Sequence, residues 1–308
     1  MVFKHKSVLL NEIISFLPDK VEKFADFTLG GAGHSLKILD LKPESYLIGI
    51  DQDLNAIEAS KQNLEHKTGR FELKHQSFSE AVESFSEQGL KFDFILADLG
   101  FSSHQIDTAD RGFSFLKDGP LDMRMNQKVF LTAEQVVNQY SETELARILF
   151  QYGEEKFSRR IAKAIVETRQ IGPFKRTVVL AECVKNALPK KLQYGRIHPA
   201  TKTFQALRIE VNQELQELKK FLASAINLLN VSGRIAIISF HSLEDRLVKK
   251  CFNEYEDPCQ CSKELPLCIC GLKPVIKKLH RKMIQAGKDE IGDNPRSRSA
   301  KLRIVEKI

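Results

Sequence analysis

Residues 24–39 read FADFTLGGAGHSLKIL, and how they are read decides the fold. An apolar, strand-like run leads into three glycines, and a helix-like pattern follows. Gly30, Gly31 and Gly33 let the backbone turn tightly and approach a ligand closely. A helix starting near His34–Ser35 would then aim its positive end at whatever is bound. Outward from this stretch, strand-like runs at 23–29, 45–51, 70–75 and 92–100 alternate with helical patterns at 54–64 and 78–85. That rhythm predicts right-handed βαβ units and a parallel sheet. In such a sheet the ligand sits beyond the carboxyl ends of the strands, at the point where their order reverses.

The rhythm breaks after the fourth run. From Thr132 to about Asn230 the patterns are almost wholly helical, and a strand pattern returns only at 233–242. Short β-like runs at 274–280 and 300–307 close the chain. The economical reading is a doubly wound α/β sheet domain, 1–106 with 207–308, interrupted by a helical insertion over 107–206. The stretch 106–131 is rich in Gly, Asp and Arg and full of turn signals, as a functional loop or hinge would be.

Asp51 follows Gly31 by twenty residues and ends the second strand run. A carboxylate there can accept both hydroxyls of a ribose, in a nicotinamide dinucleotide or in S-adenosylmethionine. Two features favour the second. A dinucleotide fingerprint needs a third glycine where Leu36 stands. Asp26, ending the first strand, would repel a pyrophosphate but could accept from the methionyl ammonium of the sulfonium donor. Asp98 ends the fourth strand beside a glycine, which at the switch point suggests an acid facing ligand rather than one capping a turn. Phe78, just past the third strand, could lie against an adenine or could be an ordinary core aromatic.

Bulk properties set the class. The chain has 308 residues, 42% hydrophobic and 28% charged, with no apolar run of membrane-spanning length. The opening MVFKHKSVLLNEIISFL reads as an amphipathic helix and not as a signal peptide. Six cysteines are too few for a disulfide scaffold at this length, so reduced thiols in the cytosol are expected. The net charge of +7 is concentrated: Gly271 to Ile308 holds 11 Lys/Arg against 4 Asp/Glu. A basic surface focused on one segment suits a polyanion partner, although a solvated lysine-rich tail would look the same.

Several blocks then line up, in order, with one family. HKSVLLNEII, TLGGAGHS, IGIDQD, DLGFSSHQID, DGPLDMRM, YGEEKFSRRIAKAI, HPATKTFQALRIEVN, SFHSLEDRLVK and NPRSRSAKLR resemble the bacterial MraW/RsmH methyltransferases over nearly the whole chain. The resemblance implies a class I, Rossmann-like methyltransferase sheet with an inserted helical substrate domain. It implies S-adenosylmethionine as cofactor and the N4 amine of a cytidine in the decoding region of 16S rRNA as target. The partner would be the small ribosomal subunit in the cytoplasm, with no membrane; a homodimer is possible. Carried over residue by residue, the family's cofactor contacts fall on Ala32, Gly33, His34, Asp51, Phe78, Asp98 and Gln105. Phe27, Gly31 and Phe101 depart from the family's usual residues.

A cytidine amine is a poor nucleophile, so the chain mostly has to place amine, methyl and sulfur in line and exclude water. Asp98 is the first choice for a carboxylate near that amine, and His241 in SFHSLEDR is a second catalytic candidate that could equally be structural. The base must be unstacked to enter a pocket, and RNA would be gripped through shape and phosphates. Arg159 and Lys163 fall on one helical face, opposite Ile161 and Ile165, while Lys190, Lys191, Arg196 and Lys202 add positive charge. Cys259, Cys261, Cys268 and Cys270 form two C-x-C pairs that a turn at Pro266 would bring together. Four thiolates could hold zinc, yet zinc sites usually space their pairs by two residues, and the reaction needs no metal, so none is assigned.

Three rival readings differ in kind. A DNA N4-cytosine or N6-adenine methyltransferase would carry a proline-containing tetrad where this chain has Asp98-Leu99-Gly100-Phe101. A catalytically silent assembly factor would have eroded the donor-binding residues, which are intact. An NAD-dependent oxidoreductase founders on the glycine spacing.

Overall fold

Burial along the strands follows the two-residue period of a sheet covered on both faces. In the computed structural model, which describes residues 7–195, 197–262 and 269–308, Phe24 and Ala25 of β1 (Lys23–Asp26) are both fully buried, in different cores. The alternation holds across β2 (Tyr46–Asp51), β4 (Phe92–Asp98) and β5 (Leu229–Ser239). Leu47, Phe94, Leu96, Ala236 and Ile238 face one side; Ile48, Ile50, Ile95, Ala97, Ile235 and Ile237 face the other. Near-continuous apolar runs are what a doubly covered parallel sheet requires.

With β3 (Phe71–His75), β6 (Ile276–Lys278) and β7 (Lys301–Lys307), the described strands form a seven-stranded sheet ordered β3-β2-β1-β4-β5-β7-β6. Strands β1 to β5 pair in parallel, while β7 runs antiparallel to both β5 and β6. The order reverses between β1 and β4, which sets the switch point at the loop after β1. This is the class I methyltransferase arrangement, and the strand runs read from sequence are the strands observed. Two details differ. The fifth strand starts at Leu229, ahead of the expected 233, with a register irregularity opposite Phe92 and Phe94. The amphipathic N-terminal helix is only α1 (Leu10–Ser15), because Leu9 takes a left-handed conformation at its start and Pro18 follows its end; residues 1–6 lie outside the described part.

One face of the sheet is covered by α1 and α2 (Gly33–Leu41), through Ile13, Ile38 and Leu39. The other is covered by α4 (Phe78–Glu87), α11 (Glu214–Ala225) and α12 (Ser242–Glu256), through Phe85, Phe221 and Phe252 among others. Each fully buried Phe or Leu contributes about 1.5–3 kcal/mol relative to exposure. Helix α3 (Leu54–Asn63) follows β2, its N-cap Asp53 accepting from the Asn55 amide. Helix α13 (Lys288–Asp293) precedes β7.

The chain forms two compact units, 1–100 with 216–308, and 101–215. The second unit contains α5 (Ser103–Asp107), α6 (Ala133–Gln139), α7 (Glu142–Gln151), α8 (Ser158–Ile171), α9 (Thr177–Ala187) and α10 (Thr201–Asn212) around its own core of Leu145, Ile148, Ile161, Ile165, Leu180 and Leu207. Reciprocal capping by Thr132 with Gln135 and by Ser141 with Glu144 starts α6 and α7. The helical run after Thr201 is two helices, since Gln213 turns left-handed (φ 49°) and ends α10. Among the described residues no helix is long and apolar enough to cross a membrane.

Candidate functional site

The glycine loop is held from three sides. Gly30 takes a left-handed conformation (φ 52°) that favours glycine. From α3, Ser60 donates to the Gly30 carbonyl (2.7 Å) and Asn63 to the Gly31 carbonyl (3.0 Å). From β2, Asp51 accepts the Gly30 amide at 2.9 Å. Ala32, also left-handed (φ 60°) and fully buried, is the N-cap of α2, which begins one residue before the expected His34–Ser35. A non-glycine residue held in that region marks a backbone the surroundings dictate.

Gly33 has a reason of its own. A Cβ there would stand 2.4 Å from the Ser7 hydroxyl, so the missing side chain makes room for the N-terminal segment, and Gly33 can meet a ligand only through its backbone. The same segment fixes His34, whose Nε2 lies 2.9 Å from the Val8 carbonyl. A carbonyl only accepts, so Nε2 carries the proton, and Nδ1 faces Asp98 Oδ2 at 3.9 Å. The Leu9 amide in turn donates to Glu290 (2.8 Å), near the far end of the sequence.

Three acids end the three central strands, and burial acts on all of them. Asp26, 2% exposed, is pushed up to about 6 by burial, against the donation it receives from Ser35 and Thr28. Its Oδ2 accepts from Ser35 (2.6 Å) and its Oδ1 from the Thr28 amide (3.1 Å). Asp26 is thus tied into the loop as a brace, with lone pairs left over for a ligand donor, as at Asp51. Asp51 is pushed up to about 7, mainly by burial and further by the charges of Asp53 and Asp26, while the Asp53 and Gly30 amides pull the other way. Its Oδ1 accepts the Asp53 amide at 2.8 Å. Asp98 is held well above the carboxylate range by burial first, then by the negative charges of Asp26 and Glu244. Its Oδ1 is buried with no hydrogen-bond partner.

The remaining expected residues fall as follows. Phe78 opens α4 after the Ser77 cap and is half-buried against Phe27 (6.2 Å, edge-on) and Phe221 (5.3 Å). Phe27, a departure from the family pattern, therefore supports Phe78 from below the site. His241 is the N-cap of α12: its Nδ1 accepts the Glu244 amide (3.4 Å), and Glu244 Oε2 accepts the Phe240 and His241 amides. The structure thus gives His241 a capping role through Nδ1. Gln105 belongs to the second unit, where it exchanges hydrogen bonds with Ser102, the side-chain oxygen of Gln105 accepting the Ser102 amide at 2.9 Å.

Sequence reasoning missed Ser7, Val8, Ser60, Asn63 and Glu244. Ser60 and Asn63 stand on the helix that follows the second strand, and no local pattern in it marks them. It also missed the setting of Phe101, 38% exposed, with the Arg208 guanidinium 4.6 Å over its ring and Glu214 gripping that guanidinium at 2.8 and 2.9 Å. In the second unit Arg159 and Lys163 are exposed on α8, opposite buried Ile161 and Ile165, and Lys163 pairs with Glu167 at 3.7 Å. Lys190, Lys191 and Lys202 are exposed; Arg196 lies outside the described residues.

These residues fit a cationic adenosyl ligand. Three acids whose charged forms are disfavoured by burial, two of them also by neighbouring negative charge, would be relieved by a positive charge, and a partnerless buried carboxylate oxygen supplies an acceptor. The start of the nine-residue α2 offers amide donors to a carboxylate.

Comparison with known proteins agrees with this chemistry. The model of the MraW methylase family matches residues 2–308. The chain is 49% identical over 311 residues to the ribosomal RNA small subunit methyltransferase H of Geobacter sulfurreducens, covering 100% of both chains. It is 50% identical to the protein of that name from Clostridium botulinum (strain Kyoto), and 48% to that from Clostridioides difficile, again over 100% of both chains. Among solved structures, an rRNA methylase from Streptococcus thermophilus is 9% identical with a TM-score of 0.44, covering 100% of this chain and 99% of its own. A putative rRNA methylase from Clostridium thermocellum is 10% identical with a TM-score of 0.45, covering 99% and 100%. At that distance no functional information follows from the structural likeness.

Proposed function

The chain belongs to the MraW methylase family, and from that premise we propose that it methylates the N4 amine of a decoding-region cytidine in 16S rRNA of the bacterial small ribosomal subunit. Its methyl donor is S-adenosylmethionine. The observation that carries the reading is Asp98: an acid at the end of β4, with a partnerless buried oxygen, near buried Asp26 at the switch point. The names carried by relatives about 50% identical over their full length support the RNA target.

When bound, the donor supplies an electrophilic methyl group on a positively charged sulfur. Asp51 accepts the ribose hydroxyls with the lone pairs its backbone donors leave over. Phe78 offers its half-buried ring to the adenine, and the first turn of α2 takes the methionyl carboxylate. Asp98 ionises as positive charge arrives, accepts an N–H of the target amine and takes the proton that the amine sheds. Its raised affinity for protons suits that task. His34, its ring held by Val8, lines the same end of the sheet as Asp98.

The second unit is the RNA-binding part in this proposal. Its exposed Arg159, Lys163, Lys190, Lys191 and Lys202 meet phosphates, and exposed Tyr194 offers a stacking face. The reading places the protein in the cytoplasm with the subunit it modifies.

Mass spectrometry of small-subunit rRNA from a strain lacking the gene tests this. The expected result is loss of N4-methylation at one decoding-region cytidine, restored by the wild-type gene and not by Asp98→Asn. Persistence of that methyl group, with no redundant enzyme in the strain, overturns the proposal.

A further inference from the structure

The connection between α12 and β6, residues 257–275, contains no helix or strand among its described residues. Connections longer than about 12–15 residues without secondary structure are uncommon in compact domains and are usually functional or linker segments. Its base is closed by the Val275 amide donating to the Tyr255 carbonyl at 2.9 Å and by Lys278 pairing with Glu256. Beyond the base, no described residue of the connection is buried, and Ile269 is 78% exposed. Apolar packing therefore does not order it. Three cysteines nonetheless converge there: Cys259, Cys261 and Cys270 have sulfur atoms all within 4.8 Å of one another.

We propose that Cys259, Cys261 and Cys270 are ligands of a structural zinc ion that fastens this connection. Zinc bound by thiolates at about 2.3 Å in a tetrahedron has sulfur–sulfur edges of about 3.8 Å. Cys259 Sγ and Cys270 Sγ stand 3.9 Å apart. The Ile269 amide donates to Cys261 Sγ at 3.3 Å, the kind of backbone donation that stabilises a metal-bound thiolate and fixes its direction. Gly271, directly after Cys270, takes a left-handed φ of 67°, letting the chain turn sharply away behind its ligand. None of the three cysteines is in a disulfide. Cys268 lies outside the described residues, and the fourth coordination position is left unassigned. The one-residue spacing within Cys259-x-Cys261, which argued against a metal in the sequence, does not prevent the three sulfurs from reaching tetrahedral separations.

Binding converts thiols to thiolates, so zinc uptake releases protons and weakens as pH falls. The soft, three-sulfur donor set selects zinc over magnesium or calcium. The chemistry proposed above needs no metal.

The test uses the full-length protein purified with reductant and without chelator. Elemental analysis is expected to give about one zinc per chain. Cobalt substituted for zinc should show a thiolate-to-metal charge-transfer band and the d–d bands of a tetrahedral ion. The double variant C259S/C270S should lose both signals while still binding S-adenosylhomocysteine, which reports that the sheet unit is folded. The proposal is overturned if reduced wild-type protein supplied with zinc retains none after gel filtration. It is also overturned if the double variant keeps its zinc, or if peptide mapping of protein kept reduced under argon finds Cys259 joined to Cys270.

Discussion

Replacing Asp51 by alanine isolates the ribose clasp. In the wild type both carboxylate oxygens already accept backbone amides, from Gly30 at 2.9 Å and Asp53 at 2.8 Å, so the donor's hydroxyls would add to an anchored group. Each hydrogen bond to a charged acceptor contributes about 1.5–3 kcal/mol. Two of them at the lower limit give about 3 kcal/mol, or roughly a hundredfold in affinity. Calorimetry with S-adenosylhomocysteine is therefore expected to show a dissociation constant raised about a hundredfold in the variant. Its 2′-deoxyribose analogue should bind wild type weakly and the variant no worse than the parent ligand. The melting transition should persist, because the variant also removes a group whose charged form burial disfavours. Affinity changed by less than about threefold, or ribose discrimination surviving in the variant, would refute the clasp.

The pH dependence follows from the same group, whose pKa in the free protein is about 7 against an ordinary 3.8. Only the ionised carboxylate accepts both hydroxyls, so affinity should fall as pH drops below about 7, with proton release on binding at about pH 6; a flat profile from about pH 6 to about pH 8, one unit either side of that pKa, contradicts it. For folding of the ligand-free protein the sign is opposite: a raised acid binds its proton more tightly when folded. The contribution of Asp51 is thus greatest below about pH 4 and is lost as pH rises to about 7. Gly33→Ala should destabilise by about 1–3 kcal/mol through the 2.4 Å clash with Ser7 Oγ, and adding Ser7→Ala should recover most of the loss, since Ser7 Cβ is 3.8 Å away. His241→Asn should keep both the α12 cap and methylation, while His241→Ala costs about 1 kcal/mol in thermal denaturation; loss of activity in a stably folded Asn variant would restore a catalytic role. Asp98→Asn should lower single-turnover methylation by about 10²–10⁴-fold with the protein as stable as wild type or more so; an unchanged rate removes Asp98 from the chemistry.

The sheet was legible because every central strand is an apolar run ended by a polar residue or a turn, and the β1–β4 reversal is the usual crossover of a doubly wound sheet. The antiparallel β7 was not, since a short alternating run reads the same in either direction. Asp51 and Asp98 were legible from their places at strand ends. The bracing of Asp26 was hidden, because it depends on Ser35 and Thr28 turning towards it. His241 and Gln105 each stand in a capping pattern with a partner three residues away, Glu244 and Ser102, and the S-x-x-Q form of the latter was present to be read. Ser7 and Glu290 had no local signature at all, because their meaning comes from contacts across the sequence.

Those two residues constrain how the protein comes to life. The donor loop is backed by Ser7 and Val8, and the segment carrying them is moored through Leu9 to Glu290. A nascent chain emerging from the exit tunnel can thread β1, β2 and β4 early, yet it lacks that mooring until residue 290 is clear. The backing of that loop is therefore settled late, by a contact that spans 281 residues of sequence.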